Sequence, residues 1–427
     1  MSIHIFTRDL RIKDNSALNA ISEFDIYPIF IFSPDQVEDN KYKSESAIQF
    51  MVESLVDLNT SLNNCLGLFY GDFEKVVNSL ANSGITKISI TKDYTPYAIK
   101  RENKLKKICK AYNIEPIITA DYCLNEPAKV YKKYTPYKLQ HTIPRVAKTN
   151  RLKILKIKGN ISFSKTNSMY KFNDTNILGG RTSGMKKLNS LKTSISKYGK
   201  TRNTPSIQST ELGPYIKFGC ISIREVYWAL RRSNELISQL IWRDFFIQLG
   251  YNFPVLKEPL KEKYSKIKWE NNKTYFRAWK NGETGFPIID AGMRQLNETG
   301  FMHNRLRLIT ASFLVKTLLI DWKLGEHYFA TKLRDYDPLV NNGNWQWIAG
   351  SGADSQPYFR IFNPWLQSKT HDPECKYIKY WIPELKDIEP RHIHNWYKCH
   401  TNVYLSPIVD HETQKIKVLA AYKKIYT

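Results

Sequence analysis

Apolar positions change their spacing once along this chain of 427 residues. In the first third they come as short runs with few polar interruptions, at 3–6, 26–32, 66–70, 88–90 and 116–119. Runs of this length without alternation read as strands buried on both faces, the pattern of a parallel sheet. Between them, 73–80 and 97–112 space their apolar residues as helices do, and Asp14-Asn15-Ser16 supplies the short polar side chains that cap one. Strand and helix alternate, so residues 1–131 are expected to form an α/β, Rossmann-like domain with a parallel sheet. No Gly-x-Gly-x-x-Gly follows the first strand, so the usual dinucleotide fingerprint is missing and the main cofactor need not lie here.

The pattern then thins. Residues 132–205 read as an interdomain connector, rich in Ser, Asn, Lys and Gly over 159–204, with Leu178-Gly179-Gly180-Arg181 and Leu188 as its docking points. Beyond Ser206 apolar residues recur three and four apart, at 221–231, 236–250, 288–298, 303–320 and 326–333. Residues 206–427 are therefore expected to form an all-α domain. No internal repeat is present.

Composition narrows the partners. A net charge of +24, from 64 basic and 40 acidic residues, favours a polyanion, nucleic acid before an anionic membrane. The same excess also aids solubility, and the lysine-, asparagine- and isoleucine-rich composition fits an AT-rich genome. No apolar run approaches the roughly 18 residues of a membrane span, and Arg8, Asp9 and Arg11 interrupt the first apolar stretch, which argues against a signal peptide. Cys65, Cys109, Cys123, Cys220, Cys375 and Cys399 are scattered without a Cys-x-x-Cys, so no zinc site, iron–sulfur cluster or disulfide framework is expected. The setting expected is intracellular: cytoplasmic, DNA-associated or, in a eukaryote, nuclear.

Candidate chemistry lies in the helical half. Asn341-Asn342-Gly343-Asn344-Trp345-Gln346-Trp347-Ile348-Ala349-Gly350 sets two indoles, amides and glycines together. Glycine admits a flat ligand close to the backbone and indoles offer stacking faces; a buried tryptophan pair beside a tight turn is the structural alternative. Ser209-Thr210-Glu211-Leu212-Gly213-Pro214 places two hydroxyls before a proline-initiated helix, which suits either a pyrophosphate or ordinary capping. On a helix Gln239, Trp242 and Phe246 share one face, with Arg243 beside them, and Asn304, Arg307, Leu308 and Ala311 share another. Arg307 with Asp335 and Asp337 reads most simply as salt bridging.

Three blocks in order, 302–314, 341–350 and Tyr358-Phe359-Arg360-Ile361-Phe362-Asn363-Pro364, resemble the DNA photolyase and cryptochrome family, and closest are its photolyases for cyclobutane pyrimidine dimers. Arg8-Asp9-Leu10-Arg11 with Asp14-Asn15 extends the resemblance to the N-terminus, while the connector and the last forty or so residues match poorly. The resemblance implies a monomeric, light-dependent lyase acting on UV-damaged DNA, with FAD active in its reduced form. Tyr198, Ser209, Thr210, Glu211, Leu212, Gly213, Arg307, Asp335, Tyr336, Asp337 and Asn341 would hold FAD, with Asn341 facing flavin N5. Gly213 departs from the family's usual serine. Trp345, Trp322 and Trp269 match its electron-transfer chain, and Arg307 and Asn341 would tune the flavin's charge. Gln239, Trp242, Arg243, Asn304, Leu308 and Trp347 would meet the lesion and its strand, the dimer leaving the duplex to lie between Trp242 and Trp347.

Two features divide the family's members. Gln239 is typical of (6-4) photolyases and animal cryptochromes, but those enzymes would have histidines at 304 and 308, where this chain has Asn304 and Leu308. Asn341 and the short stretch after the core motifs oppose a cryptochrome-like light sensor. An antenna chromophore, folate or deazaflavin, is an option in residues 1–131 that no motif identifies. A basic helical nucleic-acid binder without flavin leaves Asp335, Asn341 and the Ser209–Thr210 pair unexplained.

Overall fold

The five apolar runs all become strands of one sheet. In the computed structural model, which describes residues 1–127, 129–171, 177–253, 258–399 and 402–425, these are β1 (Ser2–Phe6), β2 (Asp25–Phe32), β3 (Gly67–Tyr70), β4 (Lys87–Thr91) and β5 (Glu115–Thr119). A short β6 (Lys153–Ile154) pairs with the start of β2. The order is β3-β2-β1-β4-β5 and every pairing is parallel, with Ile5 of β1 opposite both Ile29 and Ile90. Successive residues of a strand face opposite sides. Ile3, Ile5, Ile29, Ile31, Ile88 and Ile90 accordingly pack on Val76 and Val77 of α2 (Phe73–Ala81) and on Leu105 and Ile108 of α3 (Pro96–Ala111).

Helix α1 (Glu45–Ser61) has no counterpart in the apolar pattern. Its buried side includes Ser46, Gln49 and Ser54 beside Phe50 and Leu55, so polar residues interrupt the helical period. The stretch 132–205 also holds structure: α4 (Tyr134–Leu139), β6 and α5 (Arg181–Ser194). Helix α5 buries only Gly184 and Leu188, and Arg181 forks onto both carboxylate oxygens of Glu225 at 2.9 and 2.7 Å. The helices used below from the later half are α6 (Gly213–Lys217), α7 (Ile223–Leu230), α8 (Asn234–Asn252), α9 (Pro287–Thr299), α10 (Asn304–Lys316), α11 (Trp322–Lys332) and α12 (Pro338–Ala349).

The chain divides into two compact units. The first comprises Met1–Ser196, Thr210–Pro254 and Arg334–Asp337; the second comprises Lys197–Ser209, Val255–Leu333 and Pro338–Thr427. Within the first, the charged start of the chain, Arg8 to Asp14, has a structural use. Asp9 accepts from His4 Nε2 at 3.0 Å, from the backbone of Thr7 at 2.8 Å and from Thr91 at 2.8 Å. Arg11 pairs with Asp121, and Arg224 of α7 reaches Asp14 at 3.0 Å and Asp121 at 2.5 Å. This buried four-membered network ties α7 to the sheet. In the second unit α10 and α11 both pack on α12, and a separate cluster gathers Tyr264, Ile267, Leu319, Val418 and Tyr422 around Trp269. Among the described residues no helix is long and apolar enough to cross a membrane.

Candidate functional site

In the first unit, functional side chains collect where β1 and β4 end. Arg8, just past β1, bonds Asp93 through Nε at 3.0 Å and Asp337 through Nη1 at 2.7 Å, and lies over the Tyr122 ring. The Tyr122 hydroxyl also donates to Asp337. Lys217, at the end of α6, is half-buried nearby. Burial, with Arg8 adding to it, pulls its ammonium down to about 7 against the pull of Asp335 and Asp337. The carboxyl ends of parallel strands flanking the place where strand order reverses are where such sheets take ligands.

The 209–214 segment discriminates between the two readings of its hydroxyls. Helix α6 starts with Leu212 as its N-cap and Pro214 in its first turn, and no side chain caps it. Among the described residues neither Ser209 nor Thr210 spends its hydroxyl on the protein, although both are half-buried. Capping is therefore not their use. Glu211, with φ of 51°, pairs with Lys187 at 2.5 Å, and Leu212 is buried. A Cβ on Gly213 would stand 2.5 Å from Oδ2 of Asp335, so the departure from serine lets the Asp335 carboxylate lie directly against the helix start.

Along α8, Gln239 is half-buried with no partner within the protein among the described residues. One turn on, Trp242 is half-buried and stacks face to face on Tyr134 of α4, with ring centres 3.8 Å apart and planes 5° from parallel. Phe245 and Phe246 pack on the same indole. Arg243 turns inward: its guanidinium lies 4.0 Å over the Tyr122 ring, donates to the Tyr122 carbonyl at 3.0 Å, and leaves buried Nη2 without a partner.

In the second unit, α10 presents Asn304 exposed, with Arg307 and Leu308 half-buried. Arg307 donates to the Met302 carbonyl at 2.9 Å. The histidine beside this face, His303, is buried and its Nδ1 accepts from the Arg305 backbone. Burial, then Arg307 and Arg305, drive its pKa down to about 4. His371 is held at about 4 by burial and Arg305.

The 341–350 run divides its side chains by helical face. Asn341 donates to Glu326 of α11, at 2.9 Å to the carboxylate and 3.1 Å to the backbone carbonyl. Glu326 is 6% exposed, and burial pushes its carboxyl up to about 7 despite the Asn341 bond. Asn342 and Gln346 are buried and bonded to each other, and Gln346 also accepts from Leu260 N at 2.8 Å, so these amides secure the 258–260 backbone. Trp345 is 2% exposed, packed edge-on to Phe329 and Trp279. Trp347 is half-buried and donates to the Asp354 carbonyl. Burial falls from Trp345 and Trp322, both buried, to half-buried Trp269. Tyr198 opens a single helical turn and is half-buried, and Tyr336 stacks on Tyr42.

Sequence reasoning passed over Glu326, Lys217, Trp279 and Tyr134. Glu326 left a trace: with Trp322, Gly325, Phe329 and Ala330 it occupies the buried stripe of α11, and an acid in an apolar stripe signals function or a partner. Among the described residues no cluster could hold a metal ion.

A family model described as the FAD binding domain of DNA photolyase matches residues 236–424, and one described as DNA photolyase matches residues 2–153. The chain is 35% identical to the deoxyribodipyrimidine photo-lyase of Buchnera aphidicola subsp. Baizongia pistaciae, over 98% of this chain and 97% of that protein. The archaeal photolyase of Sulfolobus tokodaii, solved with two FAD molecules, superposes with a TM-score of 0.92 at 40% identity, covering 99% of each chain. The cryptochrome of Synechocystis shares the fold at 25% identity and a TM-score of 0.89, again over 99% of each chain.

Proposed function

The chain belongs to the DNA photolyase family, and on that premise we propose that it is a deoxyribodipyrimidine photo-lyase, which uses light to split cyclobutane pyrimidine dimers in DNA. One observation carries the choice of lesion. The accessible face of α10 offers Asn304 and Leu308, and the histidines beside it, His303 and His371, are held neutral. Repair of a (6-4) product needs a proton donor at this place; splitting a cyclobutane ring does not. Gln239 is then a variation within dimer repair. A light sensor without repair is not favoured.

FAD is the cofactor, and the residues present fit it: the Ser209 and Thr210 hydroxyls are half-buried and unspent on the described residues. When bound and reduced, it supplies on excitation the electron that opens the dimer and receives that electron back. Ser209 and Thr210, with the backbone of Leu212 and Gly213, would hold its diphosphate, while Glu211 holds the turn through Lys187. Tyr198, Arg307, Asp335, Tyr336, Asp337 and Asn341 would surround the rest. Glu326 fixes the Asn341 amide, so a neutral group that cannot readily give up a proton stands at its position. Trp345, Trp322 and Trp269 would carry electrons inward from solvent.

Gln239, Trp242, Asn304, Leu308 and Trp347 would receive the flipped dimer, while Arg243, next to Trp242 on α8, turns inward onto Tyr122. The functional division follows the apolar pattern: residues 1–131 for an antenna, 132–205 as connector and 206–427 for FAD and DNA, acting as a monomer inside the cell. For the antenna, folate and deazaflavin both stay open. Fluorescence of material released by denaturation would identify it.

The test of the main reading uses chemically reduced protein with two oligonucleotides, one holding a thymine cyclobutane dimer and one a (6-4) product. Blue light should restore thymines in the first alone. Restoration in the second alone would overturn the lesion assignment, and bound flavin with repair of neither would favour a sensor.

A further inference from the structure

Helix α4 and the residue before its N-terminal turn, Tyr131, are fastened along α8. The buried Gln248 amide accepts from the Tyr131 backbone at 3.2 Å and donates back to the Tyr131 carbonyl at 2.7 Å. The Tyr134 hydroxyl donates to the Ser238 carbonyl at 3.0 Å, and Lys138 donates to the Ser238 hydroxyl at 3.0 Å. These bonds hold the Tyr134 ring flat against Trp242, with centres 3.8 Å apart and planes 5° from parallel. Phe245, fully buried, meets both rings edge-on, 5.9 Å from Tyr134 and 5.4 Å from Trp242. Phe246 is tilted at 30° to the indole. Among the described residues Tyr134 is therefore the one ring that lies flat on Trp242.

We propose that Tyr134 is a positioning residue of the lesion pocket. It occupies one face of Trp242, locks the indole plane before DNA arrives and leaves the opposite face to stack on the dimer. The inference rests on the repair reading and draws into it a residue from the stretch that composition marks as a connector. A half-buried indole left to itself has several rotamers, and a wall already held in its bound orientation removes part of the ordering cost of binding. Gln239 lies one turn earlier on the same face of α8, half-buried and without a partner within the protein among the described residues. The pocket side thus keeps one indole face and a free amide. Tyr134 is not a plug over the lesion face, because moving it would break its bond to the α8 backbone and its contact with buried Phe245.

The test uses the full chain, chemically reduced, carrying Tyr134→Leu, Tyr134→Met or Tyr134→Phe, each also in a Trp242→Leu background. Methionine fills the volume without a flat face and serves if leucine brings the melting temperature into the assay range. In the Leu and Met variants affinity for a dimer-containing duplex should fall about threefold to tenfold, while affinity for the undamaged duplex and repair at saturating dimer stay within about twofold. Tyr134→Phe keeps the stack and should recover most of the loss. In the Trp242→Leu background no Tyr134 substitution should weaken binding further, because the interaction it removes is already gone. Equal losses on both duplexes, or losses that add to that of Trp242→Leu, would overturn the proposal and leave Tyr134 as ordinary packing. Tighter dimer binding by Tyr134→Leu would also overturn it, as the removal of a plug. A parent chain that does not prefer the dimer-containing duplex would instead overturn the repair reading, and this inference with it.

Discussion

The side-chain amide of Asn341 donates to the carboxyl group of Glu326, with Nδ2 2.9 Å from Oε1. The bond fixes which way the amide points and turns its carbonyl oxygen away from Glu326. It also gives the protein a pH signature. Burial lifts the Glu326 pKa from 4.5 to about 7, so the unfolded chain gives up this proton before the folded one does. Folding stability should therefore fall as pH rises from 4.5 to 7, with the full penalty present above 7.

Glu326→Gln removes that titration while keeping an acceptor for Asn341. Relative to the parent, the variant should gain on the order of 1–3 kcal/mol at pH 8 over its value at pH 4. Urea unfolding midpoints at the two pH values measure the difference. Parallel shifts of parent and variant with pH would show that Glu326 is ionised in the folded protein.

Trp345 packs directly on Gly325 of α11. A Cβ there would stand 2.2 Å from Cη2 of Trp345 and 2.5 Å from Cδ2 of Leu314. Gly325→Ala should cost about 1–3 kcal/mol through overpacking, more than its gain in helix propensity of about 1 kcal/mol. A lowered melting temperature with altered tryptophan fluorescence is expected; an unchanged melt would mean that the indole shifts freely.

Trp345→Phe separates electron supply from repair. The variant should lose light-driven reduction of its oxidised flavin, yet repair dimers when reduced chemically beforehand. Deleting part of a buried indole should cost about 1–3 kcal/mol of stability, so the comparison belongs below the melting range. Equal loss of repair by pre-reduced variant would refute the relay role.

Arg224 bridges Asp14 and Asp121 in the buried network. Burial alone would raise the Asp121 carboxyl, but Arg11 and Arg224 outweigh it and hold it below its ordinary value. The stability it contributes is present above pH 3.8 and lost as pH falls through the lowered folded value. Arg224→Met should cost on the order of 3–5 kcal/mol near pH 7, and its deficit should shrink in acid as the stranded carboxylates protonate. A deficit independent of pH would point to lost packing instead.

The sheet could be read from the chain because its strands are buried on both faces and bear unbroken apolar runs. Helix α1 could not, since Ser46, Gln49 and Ser54 lie on its buried side. The 341–350 run announced a site, yet identity alone did not divide its amides: Asn341 meets Glu326, while Asn342 and Gln346 secure neighbouring backbone. Only the geometry of α6 frees the Ser209 and Thr210 hydroxyls from capping. Tyr134 was invisible as a partner of Trp242 because 108 positions separate them, counted from their residue numbers, and no local period links residues so far apart.

Arg8 and Asp337 are 329 positions apart and belong to one compact unit. A ribosome adding about 5–20 residues per second makes that arginine roughly 16–66 s before its carboxylate partner. Throughout that interval the nascent sheet lacks its closing segment, Arg334–Asp337. The unit begun at the N-terminus is therefore completed only after the Val255–Leu333 stretch of the other has been made. Chaperones that shield its exposed β1 and β4 ends during synthesis should raise the yield of folded protein, whereas chains released before residue 337 should be prone to degradation.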